Sequence, residues 1–356
     1  MIKKIKVVHH SKGVGYAGTD RVAQLMCMYL DPDKFDPYIL YRKSADCSRL
    51  EYMQGFLGEG KLKKYEHEHG KNQAPYYPRF DNFVDALNLI KPDIIHFHRS
   101  GYTEWPCLGF LKDAFPSTKF VETNIFANND GFPWDLRLFI SKHIASRAGY
   151  PNGDILYNPV EQGRGIWSRT TGDKIVLGRI GRPDNFCDIS LRAIKILVDR
   201  GITDFVYKII NPCERWMEVA KELDIESYCE FLAPIYGDEE LSTFYNSIDI
   251  LAHARADGEC NSVTISEAQM HGVPIVTHMS PCYNGQVEQI DNANCGFYVK
   301  WLDAEAYADG LEDLMTDTDL RLQLGQQGFD WAMENIEASI IVKKLEKYYL
   351  HLMEEK

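Results

Sequence analysis

The chain has 356 residues, of which 45% are hydrophobic, and a formal net charge of −13. At about 100–200 residues per domain, this length predicts two domains, each large enough to bury a core of its own. No apolar run reaches the roughly 18–20 residues needed to cross a bilayer, and the short apolar stretch near the start predicts a first strand rather than a signal peptide. The nine cysteines show no paired spacing, so we expect free thiols and a cytoplasmic location.

The charge is distributed unevenly along the chain. Residues 1–160 carry 21 Lys and Arg against 18 Asp and Glu, whereas residues 161–356 carry 18 against 34. Proteins that bind nucleic acid normally carry a concentrated basic stripe, and this sequence has none, so we expect no nucleic-acid partner. The mildly basic first half is compatible with an anionic acceptor or with peripheral contact with a membrane, but ordinary surface variation explains it better.

Short apolar runs that predict strands alternate with amphipathic runs that predict helices along the whole chain. This alternation indicates parallel sheets covered by helices on both faces, and ten strands are about twice the number in one Rossmann-like domain. We therefore predict an α/β fold with two doubly wound, Rossmann-like domains and a cleft between them. The predicted strands are Ile5–His9, Pro37–Tyr41, Ile94–Phe97, Phe120–Thr123, Leu138–Ser141, Lys174–Gly178, Phe205–Ile210, Tyr228–Leu232, Ile248–Ala252 and Pro274–Thr277. The predicted helices include Asp20–Leu30, Phe80–Ile90, Ser190–Arg200, Arg215–Leu223, Val263–His271, Asp303–Met315, Leu320–Asn335 and Ala338–Met353.

The domain boundary is predicted between Asn158 and Gly172, where glycines and a proline lie among polar residues. An N-terminal domain would span residues 1–160, and a C-terminal domain would span residues 161–335. We expect the last helix, residues 336–356, to pack back on the first domain through one apolar stripe. The stripe consists of Ile341, Leu345, Tyr348 and Leu352.

The first motif is the glycine-rich turn Gly13-Val-Gly15-Tyr-Ala-Gly18, between a predicted strand and a predicted helix. Glycines let a ligand approach the backbone closely, and a helix N-terminus offers N–H groups to a phosphate or sugar oxygen. A dinucleotide site would also need an acid at the end of the second strand to hold the ribose, and the sequence has none there. We interpret the turn as the wall of a ligand cleft rather than an NAD site.

A second motif places two histidines, His96 and His98, on one face of a predicted strand. A metal site would need a third and a fourth ligand at suitable spacing, and the sequence identifies none. Ligands of open parallel sheets bind at the carboxyl ends of the strands. We therefore interpret His98 as a cleft residue and His96 as a structural one.

The third motif is the stretch from Asp257 to Val276, which follows a predicted strand and contains two acids, Glu259 and Glu267. A helix should begin near Ser262, so that its first N–H groups and its positive end could hold a diphosphate. Glu259 precedes this helix and can reach sugar hydroxyls, and Glu267 lies inside it, where it can bind a ribose. Acids near a helix N-terminus also occur simply because they stabilise the helix dipole.

This third motif resembles the E-x7-E stretch of the retaining glycosyltransferases called family 4, which have the two-domain GT-B fold. Here it reads E-C-N-S-V-T-I-S-E-A-Q-M-H-G-V-P-I-V from Glu259, and other landmarks of that family follow in the same order over about residues 1–335. These are Ala17–Arg21, Asn158–Glu161, Gly178–Asp184, Phe231–Ala233, Asn284–Glu288 and Gly296–Phe297.

The resemblance implies a glycosyltransferase that moves a sugar from a nucleotide-sugar donor to a carbohydrate, lipid-linked or small-molecule acceptor, without a metal or other cofactor. Glu259 would contact the donor sugar, Glu267 the ribose, and Arg182 or else Arg179 would neutralise the diphosphate, with His98 as a further catalytic candidate. The remaining donor contacts would be the amides near Asn261, Ser262 and Val263, the glycines Gly15 and Gly18, and the base contact near Pro234.

Two departures from the family pattern favour alternatives. Cys187 stands where the family usually has a lysine, and Thr123-Asn124 stands where it usually has a histidine. A degenerate protein of the same fold that binds a nucleotide or glycan without catalysis is therefore the main alternative. A nucleotide-sugar epimerase fits the architecture but not the third motif, and a nicotinamide oxidoreductase fits only the first glycines.

Two Asp-x-Asp pairs, beginning at Asp31 and at Asp317, formally resemble metal-binding motifs of other glycosyltransferases. Both lie at predicted helix borders, where Asp is common as a cap. We therefore expect them to be structural and the positive charge at the diphosphate to come from arginine and a helix N-terminus.

Overall fold

The chain divides into two compact units in the computed structural model. The first unit consists of Met1–Pro159 and Ala338–Lys356, and the second is Val160–Glu337. Residues 163–173, which hold most of the predicted boundary stretch, lie outside the described part of the chain. Among the described helices, none is both long and apolar enough to cross a membrane. The structure describes residues 3–42, 45–65, 80–99, 108–129, 131–162 and 174–354.

The first unit contains a seven-stranded sheet in the order β3-β2-β1-β4-β5-β6-β7, and every neighbouring pair is parallel. The strand order reverses between β1 and β4, so the carboxyl ends of these strands form the topological switch point of this unit. The strands are β1 (Ile5–Ser11), β2 (Phe35–Arg42), β3 (Leu62–Tyr65), β4 (Ile94–Arg99), β5 (Lys119–Asn124), β6 (Leu136–Phe139) and β7 (Asp154–Ile155). The helices are α1 (Gly18–Tyr29), α2 (Leu50–Leu57), α3 (Phe80–Ile90), α4 (Leu108–Ala114), α5 (Lys142–Arg147) and α13 (Ala338–Glu354).

The second unit contains a six-stranded parallel sheet in the order β10-β9-β8-β11-β13-β15, with its switch point between β8 and β11. A separate pair of two-residue strands, β12 and β14, lies beside it. The strands are β8 (Ile175–Ile180), β9 (Phe205–Ile210), β10 (Cys229–Leu232), β11 (Ile250–Ala252), β12 (Gly258–Glu259), β13 (Ile275–His278), β14 (Tyr283–Asn284) and β15 (Gly296–Val299). The helices are α6 (Ile189–Asp199), α7 (Glu214–Glu222), α8 (Asp238–Asn246), α9 (Val263–Met270), α10 (Gly285–Ala293), α11 (Ala304–Thr316) and α12 (Thr318–Asn335).

Both faces of each sheet are covered by helices, as the sequence predicts. In the first unit, Val7 and Ile94 point into a core that includes α13, whereas their chain neighbours Val8 and Ile95 point into a core with α3 and α4. Successive side chains of a strand point to opposite faces, so strands buried on both faces must be apolar throughout. The second unit is built in the same way from two cores. The two-domain parallel α/β prediction is therefore confirmed.

Five described strands, β3, β7, β12, β14 and β15, are absent from the sequence prediction. Three of them have only two residues, and β3, Leu62–Tyr65, is a lysine-containing strand at the edge of its sheet. Sequence patterns detect strands through runs of apolar residues, so the two-residue strands and the polar edge strand β3 escape detection. The edge strand β15, Gly296–Val299, has only three apolar residues in a row.

The C-terminal helix α13 completes the core of the first unit. Leu345 and Tyr349 are fully buried against residues of β1 and β4. The hydroxyl of Tyr349 also lies 2.6 Å from Nδ1 of His96 on β4.

We expect Leu345→Ala to lower the free energy of unfolding by about 2–5 kcal/mol, because it leaves a cavity in this core.

The matched control is Ile340→Ala, on an exposed position of the same helix, which should change stability by less than about 0.5 kcal/mol. Urea unfolding of both variants measures the difference. Equal stabilities of the two variants would contradict the packing of α13 in this core.

Candidate donor site in the second unit

The third sequence motif begins in the loop between β11 and α9, at the carboxyl edge of the sheet beside the switch point, and continues through α9 into β13. Gly258 has φ of +67°, a left-handed conformation that favours glycine. It allows the short pairing of β12 with β14. Ser262 then caps α9, and its hydroxyl accepts a hydrogen bond from the N–H of Ile265 at 3.4 Å. The helix therefore begins at Val263, next to the position predicted for its start.

Glu259 lies in this loop with its side chain 15% exposed and both carboxylate oxygens engaged. Nη1 of Arg255 donates to Oε2 at 2.8 Å. Nε2 of His253 lies 3.3 Å from Oε1, while its Nδ1 lies 3.2 Å from the hydroxyl of Thr277. Because a carboxylate only accepts, Nε2 of His253 carries the proton of that contact.

These neighbours determine the charge of Glu259. Burial by itself raises the pKa of its carboxyl, but the hydrogen bond and charge of His253 and the charge of Arg255 outweigh burial and leave the pKa below its ordinary value. Glu259 is therefore a fixed anion at neutral pH, suited to accept hydrogen bonds from hydroxyl groups. His253 and Arg255 are absent from the predicted site, although their position directly after β11 at a carboxyl edge is a usable signal.

The first amides of α9 divide into two groups. The N–H of Ser262 donates to Oε1 of Gln289 at 2.7 Å. Among the described residues, the N–H groups of Val263 and Thr264 find no hydrogen-bond partner. A helix N-terminus leaves its first amides without intrahelical partners and is positively polarised. The amides that remain available to an external anion are therefore those of Val263, one of the predicted positions, and Thr264, whereas the N–H of Ser262 is used within the loop.

Glu267 lies one turn into α9 and is held by a buried tyrosine. The hydroxyl of Tyr245 on α8 lies 2.9 Å from Oε2 of Glu267 and 3.2 Å from the carbonyl oxygen of Thr264. Burial raises the pKa of Tyr245 well above its ordinary value, so the hydroxyl keeps its proton and donates. This arrangement fixes the direction of the Glu267 carboxylate.

The two arginines proposed for the diphosphate lie in different environments. Arg179 on β8 is buried, its Cζ lies 4.3 Å from the centre of the Trp216 ring, and its Nη2 donates to the carbonyl of Asn185. Arg182 lies after β8 with 66% of its side chain exposed, 3.7 Å from Asp184. Arg182 is therefore the reachable cation of the two, and Arg179 packs as part of the core.

Cys187 contributes no charge to this edge of the sheet. Its sulfur lies 3.7 Å from Nε2 of His278, and burial raises the pKa of the thiol to about 11. Burial also lowers the pKa of His278, to about 4. Both groups are therefore neutral at neutral pH. Pro234 is exposed after β10, three strands away from β11 in the sheet order.

The glycine-rich turn of the first unit is lined by carboxylates. Oδ1 of Asp20 accepts hydrogen bonds from the hydroxyl of Ser11 at 2.8 Å and from the N–H of Gly13 at 3.1 Å. Oδ2 of Asp46 accepts from the N–H of Tyr16 at 3.4 Å. The carbonyl of Gly15 accepts from a glutamine of α1. Because two acids already lie at these amides, the turn that contains Gly15 and Gly18 suits a hydroxyl-bearing sugar better than a phosphate.

Three histidines form a buried cluster at the carboxyl end of β1 and β4, with ligand atoms within 4.8 Å of one another. The added member is His9, whose Nδ1 lies 3.0 Å from Nε2 of His98. His96 is held between the hydroxyls of Tyr349 at 2.6 Å and Thr123 at 2.7 Å. The His96 and His98 rings stack at 4.4 Å with planes 24° apart. Both ring nitrogens of His96 are engaged by these hydroxyls, and Nδ1 of His9 is engaged by His98, so the contacts favour a hydrogen-bonded network.

The Asp-x-Asp pairs are used locally, as the sequence analysis predicts. The side chain of Asp317 caps α12 by accepting from the N–H of Leu320 at 2.9 Å. Asp31 follows α1, accepts from the N–H of Asp33 at 2.9 Å, and pairs with Lys34 at 2.8 Å.

Comparison with known proteins finds a family model that matches most of the second unit. Residues 178–331 match the model of the family described as glycosyl transferases group 1. Over this stretch the chain is similar to the group 1 glycosyltransferases. Its match with this family covers both acids of the third motif and the whole loop that carries them.

Individual relatives agree with this similarity. The chain is 31% identical over 162 residues to a D-inositol 3-phosphate glycosyltransferase of Corynebacterium jeikeium, a match covering 42% of this chain and 38% of that protein. It is 25% identical over 197 residues to the capsular polysaccharide biosynthesis glycosyltransferase CapM of Staphylococcus aureus, covering 53% and 49%. The matches therefore span less than half the length of these curated relatives.

Solved structures match nearly the entire chain in fold. A glycosyltransferase of Rickettsia africae superposes with a TM-score of 0.76 at 14% identity, covering 99% of this chain and 100% of that one. Anabaena Alr3699/HepE in complex with UDP and glucose gives a TM-score of 0.76 at 12% identity, covering 98% and 100%. At these identities the likeness concerns the fold, and the fold of this chain is GT-B, as the sequence resemblance implies.

The histidine cluster makes stability depend on pH. Burial lowers the pKa of His98 and of His10 to about 3, and lowers that of His9 and His96 well below the ordinary 6.5. Below pH 6.5 the unfolded chain takes up protons that the folded chain does not, so stability falls from pH 6.5 towards pH 3. At pH 5 the loss is about 2 kcal/mol for His98 alone.

We expect the urea midpoint to be lower at pH 5 than at pH 7.5, and His98→Asn to reduce this difference. His351→Gln, on an exposed position of α13, should keep the wild-type dependence. Stability that is constant between these pH values would show that the cluster is not held neutral.

The second unit also depends on the close approach of α10 to the Glu259 loop. A Cβ atom at Gly285 would lie 2.0 Å from the carbonyl oxygen of Cys260. We expect Gly285→Ala to destabilise the domain by about 1–3 kcal/mol, because backbone must shift to admit the methyl group.

Gly310→Ala on α11 is the matched control, because its Cβ would meet only ordinary contacts at 3.4 Å and beyond. Alanine is the better helix former, so this variant should be neutral or more stable by up to about 1 kcal/mol. Thermal unfolding compares the two, and equal midpoints would contradict the tight contact at Gly285.

Proposed function

We propose that this chain is a glycosyltransferase that moves a sugar from a nucleotide-sugar donor to a hydroxyl of a carbohydrate, lipid-linked or small-molecule acceptor, with retention of anomeric configuration and without a metal ion. The observation that carries this proposal is the pair of fixed acids, Glu259 and Glu267, on either side of the N-terminus of α9. Both lie within the stretch that matches the group 1 family.

In the proposed mechanism the donor lies against α9. The ionised Glu259 accepts hydrogen bonds from hydroxyls of the donor sugar, since each carboxylate oxygen has a further lone pair beyond those used by His253 and Arg255. Glu267, directed by Tyr245, accepts from the ribose. The amides of Val263 and Thr264 then hold the diphosphate as negative charge develops on it, which is the task of preorganised donors in such reactions.

Positive charge at the departing diphosphate would come from Arg182 and the N-terminus of α9. Arg182 is exposed and carries only a long contact of 3.7 Å with Asp184, so its guanidinium can turn towards a ligand. The first acid of each Asp-x-Asp pair, Asp31 and Asp317, accepts a backbone N–H of its own turn, which supports a mechanism without a divalent ion. Retention of configuration rests on the family resemblance and is measured from the anomeric signals of the product by NMR.

The known proteins suggest which substrates to test first. One structural neighbour was solved with UDP and glucose, and the first relatives are named for D-inositol 3-phosphate and capsular polysaccharide. A UDP-sugar donor and a hydroxylated, anionic or polymeric carbohydrate acceptor are therefore the first pair.

The test measures nucleoside diphosphate release from UDP-, GDP- and ADP-sugars, with and without EDTA. We expect release from one donor class that EDTA does not reduce. Glu259→Gln should lower kcat about 10- to 150-fold, because hydrogen bonds to a charged group contribute about 1.5–3 kcal/mol. Glu334→Gln, at an exposed position of α12, should retain wild-type turnover. Unchanged kcat in Glu259→Gln would contradict the proposed role.

The second candidate is a protein of the same fold that binds a nucleotide or glycan without transferring it. The neutral thiol of Cys187, at the position of a lysine in the family pattern, favours this candidate. Nucleotide binding by calorimetry, together with no release from any donor at any acceptor, would support it over transfer.

A further inference from the structure

Two buried glutamines of α10 face the loop that carries Glu259. Gln286 and Gln289 are 1% and 2% exposed, and their spacing of three residues places them on one side of the helix. Oε1 of Gln286 accepts the N–H of Glu259 at 2.9 Å, and its Nε2 donates to the carbonyl of His278 at 2.9 Å. The amide of Gln286 thus links the backbone of Glu259 to the end of β13.

Gln289 holds the other end of the same loop. Its Oε1 accepts the N–H of Ser262 at 2.7 Å. Its Nε2 donates to the carbonyl of Ser262 and to the hydroxyl of Ser266, both at 3.0 Å. Both peptide groups of the α9 cap residue are therefore bound by one side chain.

Burying two glutamine side chains in fixed positions costs free energy, which their contacts with the loop must offset. A buried amide must have its hydrogen bonds satisfied, and a glutamine loses much rotamer freedom when it is fixed. An irregular loop leaves backbone N–H groups that no helix or sheet can pair. The two glutamines pair those of Glu259 and Ser262, and the tight contact at Gly285 presses α10 against the peptide between them.

We infer that Gln286 and Gln289 are positioning residues of the donor site: Gln286 sets the place of Glu259 against the donor sugar, and Gln289 sets the first turn of α9 against the diphosphate. This inference rests on the proposed function. It assigns the two glutamines separate effects, one on the sugar step and one on nucleotide binding.

The experiment uses Gln286→Met and Gln289→Met, which keep side-chain length but remove the amide. The matched control is Gln269→Met. Gln269 is fully buried on α9 and donates to the carbonyl of Gln289 and the sulfur of Cys295, so its loss removes a buried amide without touching the loop.

Three quantities are measured for each full-length variant. They are the hydrogen exchange of the Glu259 and Ser262 amides, the Kd of the nucleoside diphosphate, and kcat with its sugar donor. We expect exchange to accelerate at least about tenfold at Glu259 in Gln286→Met and at Ser262 in Gln289→Met, because hydrogen bonding protects amides from exchange. Gln269→Met should leave both amides protected.

The functional effects should differ in kind between the two variants. Gln286→Met should lower kcat about tenfold and leave the Kd of the nucleoside diphosphate within twofold, since that ligand lacks the sugar. Gln289→Met should raise that Kd about five- to tenfold. If both variants match Gln269→Met in exchange, Kd and kcat, the glutamines are ordinary core residues and the inference is wrong. Wild-type protein that neither binds nor turns over any donor would instead overturn the proposed function, and the exchange data would still decide the positioning role.

Discussion

The ion pair between Arg255 and Glu259 is the interaction on which the site in the second unit depends. A carboxylate this far removed from water would take up a proton unless positive charge and donors compensate it. Arg255 supplies the positive charge, and His253 supplies a hydrogen-bond donor. Both residues are held in place by contacts of their own. Thr277 contacts the ring of His253, and Nε2 of His278 accepts the N–H of Arg255 at 3.2 Å. The acid is thus tied to the ends of β11 and β13, two neighbouring strands of the sheet.

Each unit has a turn that joins a strand to a helix, and the backbone amides of the two turns differ in their partners. In the first unit, Asp20 and Asp46 occupy amides of the glycine-rich turn, so the chain itself supplies the anions. In the second unit, the amides of Val263 and Thr264 have no such partner among the described residues, and the nearby acids Glu259 and Glu267 are held elsewhere by their own neighbours. Of the two turns, only the second therefore leaves backbone amides available to an external anion.

The sequence predicts those features that depend on local pattern. Alternating apolar runs predict the parallel sheets, and the order of Glu259, Ser262 and Glu267 along the chain predicts an acid, a helix cap and a second acid. The side chains that orient these residues are not local. Gln286 and Gln289 each lie 27 residues from their partners, and Tyr245 lies 22 residues from Glu267. Such contacts arise from packing of α8 and α10 against α9, which no periodicity encodes.

The positions of the positively charged side chains determine how much of the stabilisation of a bound diphosphate must come from the N-terminus of α9. Arg179 is buried against the ring of Trp216, the thiol of Cys187 is neutral, and Arg255 forms an ion pair with Glu259. On the proposed function, Arg182 alone among these residues can approach a departing diphosphate, and its exposure means that solvent screens its charge. The amides of α9 are fixed in place and do not need to reorganise as charge develops. Their placement by Ser262 and Gln289 then matters more than in a site with two cations, which accounts for a cap residue whose N–H and carbonyl are both bound by one buried side chain.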